Sequence, residues 1–194
     1  MRAIMKPEKF PLKVIFKYRG ALMAPPLIFA AICTWYETEN GYLTFGIGGV
    51  LFACGLLLRL WSQMHLHYRL KNSTVLTVTG PYVYVRNPIY IANMIMLVAA
   101  VILAELFWLT PLMFVYCLVV YTFVVHYEET HLLNKYGQAY ADYVSKTPRW
   151  FPNLHITSSA AVDTKRFFVP SLLAEAPSLL LLLPFIIKEI ISVS

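Results

Sequence analysis

Long apolar segments make this chain a membrane protein before any motif is considered. Of its 194 residues, 59% are apolar or aromatic and only 13% are charged, whereas about a quarter of the residues are charged in a typical soluble domain. A spanning helix needs ~20 predominantly apolar residues. Five segments are candidates: roughly Gly20–Tyr36, Leu43–Trp61, Ile89–Phe107, Thr110–Val125 and Phe167–Ile191. The sequence therefore predicts an all-α, polytopic membrane protein with about five transmembrane helices.

The first and last of these segments differ from a simple span. The first is bent by Pro25–Pro26 and is followed by no small-x-small cleavage site, so we expect a retained helix and not a signal peptide. The last is interrupted by one carboxylate and three prolines, namely Glu175, Pro170, Pro177 and Pro184. We predict a kinked span there, with a re-entrant or surface helix as the alternative.

Basic residues indicate the side of the membrane on which each polar segment lies. Apart from Lys188, every lysine and arginine lies in residues 1–19, 59–87 or 126–166. The connections between them carry glutamates and neither lysine nor arginine. By the positive-inside rule, the N-terminus and the two long polar segments are cytoplasmic. The net charge of +6 then reflects topology and attraction to anionic lipids, and nucleic-acid binding is not expected.

We expect one membrane domain over residues 1–194. Its N-terminal spans cover about 20–61, its catalytic core about 62–152 and its C-terminal span about 167–191. Because the third and fourth spans form a hairpin, the polar segments that precede and follow them must leave the bilayer close together. Their convergence predicts a cytoplasmic catalytic segment at the mouth of the helical bundle.

Small residues inside the predicted spans are assigned to packing. The "GIGG" sequence at Gly46–Gly49 favours close helix contact, since no strand precedes it as a phosphate-binding loop would require. Cys33, Cys54 and Cys117 form no CxxC pair, and buried apolar packing is the expected role for all three.

The first motif is "LTVTGPYVYVRNPIY", residues 76–90. Gly80–Pro81 and Asn87–Pro88 are turn-forming dipeptides on either side of Tyr82, Tyr84 and Arg86. Taken alone, the motif is explained as the start of the third span, with Pro88 in its first turn and the arginine on lipid phosphate.

The second motif is "HYEETHLLNKYGQAYADYVSKTPRWFP", residues 126–152. Carboxylates directly after an apolar span are costly and usually functional. A continuous helix would align one carboxylate with an aromatic face: Glu128, Leu132, Tyr136, Tyr140 and Tyr143. The alternative is an amphipathic helix on the bilayer surface, and Gly137 is expected to cap or break the helix.

A metal site is a competing interpretation of the same residues. Glu128 and His131 have the carboxylate–histidine spacing of di-iron bundles, and His65 and His67 could face them. That architecture requires two such motifs with further carboxylates, and this chain has one. We therefore predict no metal.

Together the two motifs resemble those of the isoprenylcysteine carboxyl methyltransferases. The similar pattern is G-x-Y-x-x-x-R-x-P-x-Y before a span, a hairpin, then E-E-x-x-L-x-x-x-[YF]-G-x-x-Y-x-x-Y and a closing proline. It covers about residues 60–152. The wider superfamily includes phospholipid N-methyltransferases and the membrane sterol reductases.

The resemblance implies an S-adenosylmethionine site built from both polar segments. The positions that correspond to cofactor-contacting residues are His67, Thr74, Val75, Leu76, Thr77, Tyr82, Asn87, Pro88, Ile89, Tyr90 and Glu128. Arg86 is the candidate catalytic residue, which would pair with the acceptor carboxylate or with the methionyl carboxylate.

The implied activity is S-adenosylmethionine-dependent methylation of a lipid-linked acceptor, with the α-carboxylate of an isoprenylated cysteine as the leading candidate. The expected partners are membrane lipid and a prenylated or lipid-like substrate, and the oligomeric state is left open. Alternatives are a phospholipid N-methyltransferase and an NADPH-dependent, sterol-reductase-like enzyme. A small transporter is the non-enzymatic alternative. Transport pathways depend on ionisable residues in mid-span, and this chain has few of them, with Glu175 as the main one, so transport is the less favoured interpretation.

Two positions depart from the family pattern. The residue after the motif arginine is usually histidine, and here it is Asn87. The eukaryotic members carry a substrate-holding arginine four positions before the first glutamate, and here that position is Val124. The substrate-binding residues therefore stay open.

Overall fold

Every regular element in the described part of the chain is a helix. The computed structural model describes residues 10–38, 41–71, 76–154 and 163–193. The helices are α1 (Phe10–Lys17), α2 (Ala24–Ile32), α3 (Gly41–Lys71), α4 (Pro81–Tyr84), α5 (Pro88–Leu103), α6 (Thr110–Tyr136), α7 (Gln138–Lys146), α8 (Phe168–Leu179) and α9 (Leu183–Val193). Short 3-10 turns lie at Ala21–Met23, Phe107–Leu109, Lys165–Phe167 and Leu180–Leu182. The all-α prediction is confirmed for these residues.

Length and composition support fewer spans than the five expected. Three helical segments are long and apolar enough: Gly41–His67, Phe107–Tyr136 and Lys165–Ile190. Helices α1 and α2 pass the same test only as a pair, and they are bent by 77°. Helix α5 has 16 residues and is therefore about 24 Å long, shorter than the ~30 Å hydrocarbon core. The supported number is three, or four if the bent pair is one span.

Helix α5 lies at the centre of the packing. Most of its residues are buried, and α3 packs along it while α6 covers another side. It begins at Pro88, whose missing N–H is harmless in a first turn. It stops just before Glu105, where a φ of 64° is incompatible with a continuing right-handed helix. Its early end explains why the third predicted span is short.

Two glycines of α3 allow α5 to approach closely. A Cβ at Gly48 would lie 2.7 Å from the side chain of Leu103. A Cβ at Gly55 would lie 2.6 Å from Met96 Cγ and 3.1 Å from the carbonyl oxygen of Ala92. Since non-bonded carbon atoms pack at about 3.5–4.0 Å, neither position has room for a methyl group.

The packing roles expected for small residues are therefore confirmed in part. Within "GIGG", Gly48 contacts α5, whereas Gly46 and Gly49 have no neighbour within 4 Å. Cys33 and Cys117 are buried, but Cys54 is exposed, so the expected burial is wrong for Cys54.

A lysine joins the last helix to the end of α5 that is remote from Pro88. Lys188 Nζ donates to the carbonyl oxygens of Cys33, at 2.6 Å, and Ala104, at 2.9 Å. It also pairs with Glu37 Oε1 at 2.6 Å. Because Ala104 follows α5 directly and Pro88 begins it, this contact lies at the end of α5 opposite to the two motifs.

The close approach of α3 and α5 generates a stability prediction. We expect Gly55→Ala to reduce the free energy of unfolding by about 1–3 kcal/mol, the usual cost of overpacking, because the new methyl group meets backbone as well as side chain. The measurement is the thermal unfolding midpoint of the detergent-solubilised protein.

Gly46→Ala is the matched control for this prediction. It makes the same change in the same helix, where nothing lies within 4 Å, so it should keep or slightly raise the midpoint through helix propensity. Equal midpoints for the two variants would contradict close α3–α5 packing at Gly55.

Candidate active site

A cavity of about 260 Å³ lies where the two sequence motifs meet. Twelve of the residues that line it come from the two motifs, and nine of these are site candidates named from the sequence: Leu76, Thr77, Tyr82, Arg86, Asn87, Pro88, Ile89, Tyr90 and Glu128. The convergence of the two polar segments is thus present in the structure. The role of these residues in cofactor binding stays a prediction.

A glycine turn brings the first motif to the cavity. Gly80 has φ 59° and ψ −131°, a conformation open almost only to glycine. A Cβ there would lie 2.3 Å from His65 Nε2, and His65 Nδ1 lies 2.9 Å from Thr79 Oγ1. The turn is therefore packed against α3, and it directs Tyr82 of the short helix α4 into the cavity.

A hydrogen bond joins the two motifs inside the cavity. Tyr90, in the first turn of α5, donates its hydroxyl to Glu128 Oε2 of α6 at 2.8 Å. Tyr90 is only 9% exposed, and its ring lies 5.2 Å from that of Tyr121. The pair fixes one carboxylate oxygen of α6 at the cavity.

The neighbouring carboxylate holds two arginines. Glu129 accepts from Arg149 at 3.1 and 2.6 Å, in a two-point contact, and pairs with Arg86 Nη1 at 3.1 Å. The hydrogen bonds that Arg149 donates to Glu129 raise the pKa of Arg149 above its usual value, so this guanidinium stays charged. Glu129 is thereby compensated by positive charge from both polar segments.

Backbone hydrogen bonds close the second motif over the first. The amide of Arg86 donates to the carbonyl of Pro148 at 2.9 Å, and the amide of Asn153 donates to Tyr84 at 2.9 Å. Asn87 Nδ2 donates to the carbonyl of Arg149 at 3.3 Å. Asn87 stands where the isoprenylcysteine carboxyl methyltransferases usually have histidine. It lines the cavity, and its hydrogen bond holds the segment that closes the cavity.

The predicted aromatic face is interrupted by Gly137. This residue has φ 56° and separates α6 from α7, as expected from its position in the motif. Tyr140 and Tyr143 line the cavity, and Tyr143 donates its hydroxyl to the carbonyl of Tyr82 at 2.7 Å. Burial raises the pKa of Tyr140 to about 12, so it is a neutral phenol at physiological pH.

Other predicted residues lie elsewhere. His67 Nδ1 lies 2.9 Å from Ser171 Oγ of α8, and His67 is not among the lining residues. It is one position beyond Leu66, which does line the cavity, and one residue turns a helix by about 100°. Thr74 and Val75 lie outside the described residues. No group of three or more potential metal ligands occurs among the residues that the structure describes.

Four polar residues that line the cavity were not predicted: Arg19, Arg59, Gln63 and Asn93. The signal available in the sequence was Arg59, a charge inside a predicted span, which usually marks a functional position. Arg19 was counted only as a topology signal. Val124, the position of the family's substrate-holding arginine, is fully buried in the core and does not line the cavity.

The glycine turn generates a prediction that separates steric contact from backbone strain. We expect Gly80→Ala to lower the unfolding midpoint of the solubilised protein more than Gly137→Ala does. Both glycines have nearly the same backbone conformation, so both substitutions carry similar strain, of order 1–3 kcal/mol. Only at Gly80 does the new Cβ meet His65, since nothing lies within 4 Å at Gly137.

A Gly137→Ala midpoint as low as that of Gly80→Ala would show that the contact with His65 does not hold the turn in place. If the contact with His65 is instead the cause of the lower midpoint, adding His65→Ala to the Gly80→Ala variant should restore part of the loss.

Comparison with known proteins places the chain in a family. The phospholipid methyltransferase family matches residues 43–139, half of the chain. The nickel-cobalt-cadmium resistance protein NccN of Alcaligenes xylosoxydans xylosoxydans is 32% identical over 126 residues, which cover 65% of this chain and 56% of that protein. The cobalt-zinc-cadmium resistance protein CzcN of Cupriavidus metallidurans is 30% identical over 114 residues, covering 59% and 50%. No solved structure matches the chain.

The chain spans about half the length of the curated relatives that it matches. The region matched by the family runs from the start of α3 into α7 and includes both Tyr90 and Glu128. It does not single out the isoprenylcysteine carboxyl methyltransferases, so the resemblance is established at the broader level. By this match, and with the two motifs meeting at one cavity, the chain belongs to the phospholipid methyltransferase family, whose members are membrane methyltransferases.

Proposed function

We propose that this chain is an S-adenosylmethionine-dependent methyltransferase acting on a lipid-linked acceptor in the membrane. The observation that carries the proposal is the cavity shared by the two motifs, where Tyr82, Tyr90 and Glu128 converge. Family membership supports the reaction class. Long apolar helices around the cavity supply the setting in which a lipid-linked acceptor is reached.

The residues around the cavity fit the polar groups of S-adenosylmethionine. Glu128 can accept hydrogen bonds from hydroxyl or amino groups. Thr77 Oγ1 is buried at the cavity and has no hydrogen-bond partner among the described residues, and buried polar atoms normally have one. The tyrosine rings that line the cavity suit a cationic ligand, because aromatic faces attract positive charge. When bound, this cofactor supplies an electrophilic methyl group on a sulfonium.

The two adjacent carboxylates have different surroundings and are assigned different roles. Glu128 accepts from one tyrosine and lines the cavity, so we assign it to the cofactor. Glu129 is held between Arg86 and Arg149, so we assign it to fixing these arginines. Arg86 Nε is buried without a hydrogen-bond partner among the described residues, which suits an anionic ligand group beside it.

The leading acceptor is the α-carboxylate of an isoprenylated cysteine. A carboxylate is ionised at pH 7, so ester formation releases no proton and requires no general base. The bond from carboxylate oxygen to the methyl carbon forms as the carbon–sulfur bond breaks, and the electron pair stays on sulfur. The protein residues then only bind the reactants, align them and exclude water, and alignment alone can account for much of the rate acceleration.

A phospholipid amine is the second candidate, favoured by the family's description. An amine must lose a proton during methylation. Glu128 is the one carboxylate among the described lining residues and would accept that proton directly or through water. The rate with an amine should therefore rise with pH as the amine itself loses its proton, whereas the rate with a carboxylate acceptor, already ionised, should be nearly constant around neutral pH.

The names of the two relatives connect those proteins with resistance to nickel, cobalt, zinc and cadmium. A methyltransferase that modifies membrane components could contribute to such resistance by changing the envelope. The proposal for this chain rests on the family match and on the cavity, and it assigns the chain no role in binding these metals.

The proposal is tested by the ligand that stabilises the protein. We expect S-adenosylhomocysteine, the reaction product, to raise the thermal unfolding midpoint of the detergent-solubilised protein, because a ligand at 100 times its Kd adds about 2.7 kcal/mol. Tyr90→Phe and Glu128→Gln should both reduce this stabilisation. Tyr90→Phe removes the hydrogen bond that orients Glu128, and Glu128→Gln replaces the carboxylate acceptor with a neutral amide. Calorimetric titration of the same variants measures the loss of affinity, which we expect to be tenfold or more.

Tyr116→Phe is the matched control. It also removes one tyrosine hydroxyl that donates a hydrogen bond, in this case to the carbonyl of Leu22, but Tyr116 lines neither the motif cavity nor its neighbour. Its response to S-adenosylhomocysteine should equal that of the unsubstituted protein. Stabilisation by NADPH and not by S-adenosylhomocysteine would overturn the proposal in favour of reductase chemistry.

A further inference from the structure

A second cavity of about 550 Å³ adjoins the first. Arg19, Arg59 and Asn93 line both cavities, so these three side chains form a polar junction between them. Beyond the junction the second cavity has mainly apolar walls, formed by Met23, Ala24, Leu27, Met96, Leu97 and Leu181. A ligand there would have a polar end beside the first cavity and an apolar remainder.

The charge at this junction is positive. Lys17, Arg19 and Arg59 line the second cavity, and no carboxylate is among its described lining residues. Arg19 lies in the bend between α1 and α2 and donates to the carbonyl of Phe16 at 2.9 Å. It is paired with no carboxylate among the ion pairs of the described residues. Its charge is therefore available to an anion.

Arg59 is held at the junction by a buried carboxylate. Its Nε lies 2.5 Å from Glu175 Oε2, and the side chain of Glu175 is 2% exposed. Nη1 of the same guanidinium donates to Asn93 Oδ1 at 2.5 Å, and Ser178 donates to Glu175 at 3.1 Å. A carboxylate buried in a membrane helix is costly unless it is paired. Glu175 thus fixes the orientation of Arg59.

We propose that the junction is the acceptor's anion-binding site, with Arg19 and Arg59 as specificity-determining residues and Glu175 as the positioning residue for Arg59. The occupant is a lipid-tailed acceptor whose anionic group, a carboxylate or a phosphate, lies between the two guanidinium groups. Its apolar tail lies in the second cavity. This inference rests on the proposed function, and it names the class of substrate.

The arrangement would also supply acceptor binding although Val124 stands where the eukaryotic isoprenylcysteine carboxyl methyltransferases carry an arginine. The positive charge comes instead from Arg19 and Arg59. Arg19 and Glu175 both lie outside residues 43–139, which match the family. The bend between α1 and α2 and helix α8 thus contribute to acceptor recognition, while the matched region supplies the cofactor cavity.

The test compares lipids that carry an anionic group with neutral counterparts that have the same apolar tails. The full-length protein in detergent is titrated with N-acetyl-S-farnesylcysteine and its neutral amide, and with dioleoylphosphatidic acid and neutral dioleoylglycerol. In at least one pair, we expect the anionic member to bind with a Kd about tenfold or more below that of the neutral member, as is typical for hydrogen bonds to charged groups. The carboxylate pair and the phosphate pair together identify which anion is recognised.

Substitutions then assign this preference to the junction. Arg59→Gln and Arg19→Gln should each reduce the ratio of anionic to neutral affinity, and Glu175→Gln should reduce it through the loss of Arg59 orientation. Arg59→Lys, which keeps the charge without the guanidinium geometry, should retain an intermediate ratio. Arg166→Gln, a basic residue that lines neither cavity, is the control and should leave the ratio unchanged.

Equal affinity for the charged and neutral members of both pairs would overturn the inference, as would an unchanged ratio in both Arg19→Gln and Arg59→Gln. Arg19 is exposed, so its variant reports on binding even if Glu175→Gln fails to fold. Binding of S-adenosylhomocysteine to the unsubstituted protein is measured in parallel. If it binds while no anion preference exists, the inference fails and the proposed function stands; if it does not bind, the proposed function itself fails.

Discussion

Two adjacent carboxylates at the end of a membrane helix organise the polar end of this protein. Glu128 and Glu129 follow an apolar run directly, where ionised groups require partners. Tyr90 satisfies the first, and Arg86 and Arg149 satisfy the second. Because these partners come from segments on both sides of α6, compensating the carboxylates brings the two polar segments together and encloses the cavity between them.

A second compensated charge lies deeper, between α3 and α8. The pair of Arg59 and Glu175 places a guanidinium where the motif cavity meets its apolar neighbour, and the close α3–α5 contact at Gly55 holds that face of α3 near Asn93. The proposed function thus assigns different roles to the two sides of Arg59. The motif cavity on one side would take the cofactor, and the mainly apolar cavity on the other would take the tail of the acceptor.

The sequence predicted the helical class, the meeting of the two motifs and most of the cavity lining, because each depends on local pattern or on the hairpin geometry. It overestimated the number of supported spans, because the end of α5 depends on the backbone at Glu105 and not on hydropathy. The resemblance implied His67 as a cavity residue, but a correspondence in sequence does not define which face of α3 a side chain occupies, and His67 lies beside Ser171 instead. The sequence-based prediction missed Arg19 and Asn93, which reach the cavity only through the bend between α1 and α2 and the packing of α3 on α5.

The most direct test of the central claim is methyl transfer from S-adenosylmethionine labelled with tritium in its methyl group. The purified full-length protein is incubated with N-acetyl-S-farnesylcysteine or with phosphatidylethanolamine, and label in the extracted lipid is counted. The account requires label in at least one acceptor, and its loss in Glu128→Gln. Absence of label in both acceptors, together with no binding of S-adenosylhomocysteine, would contradict the assignment of the motif cavity as a methyltransferase site.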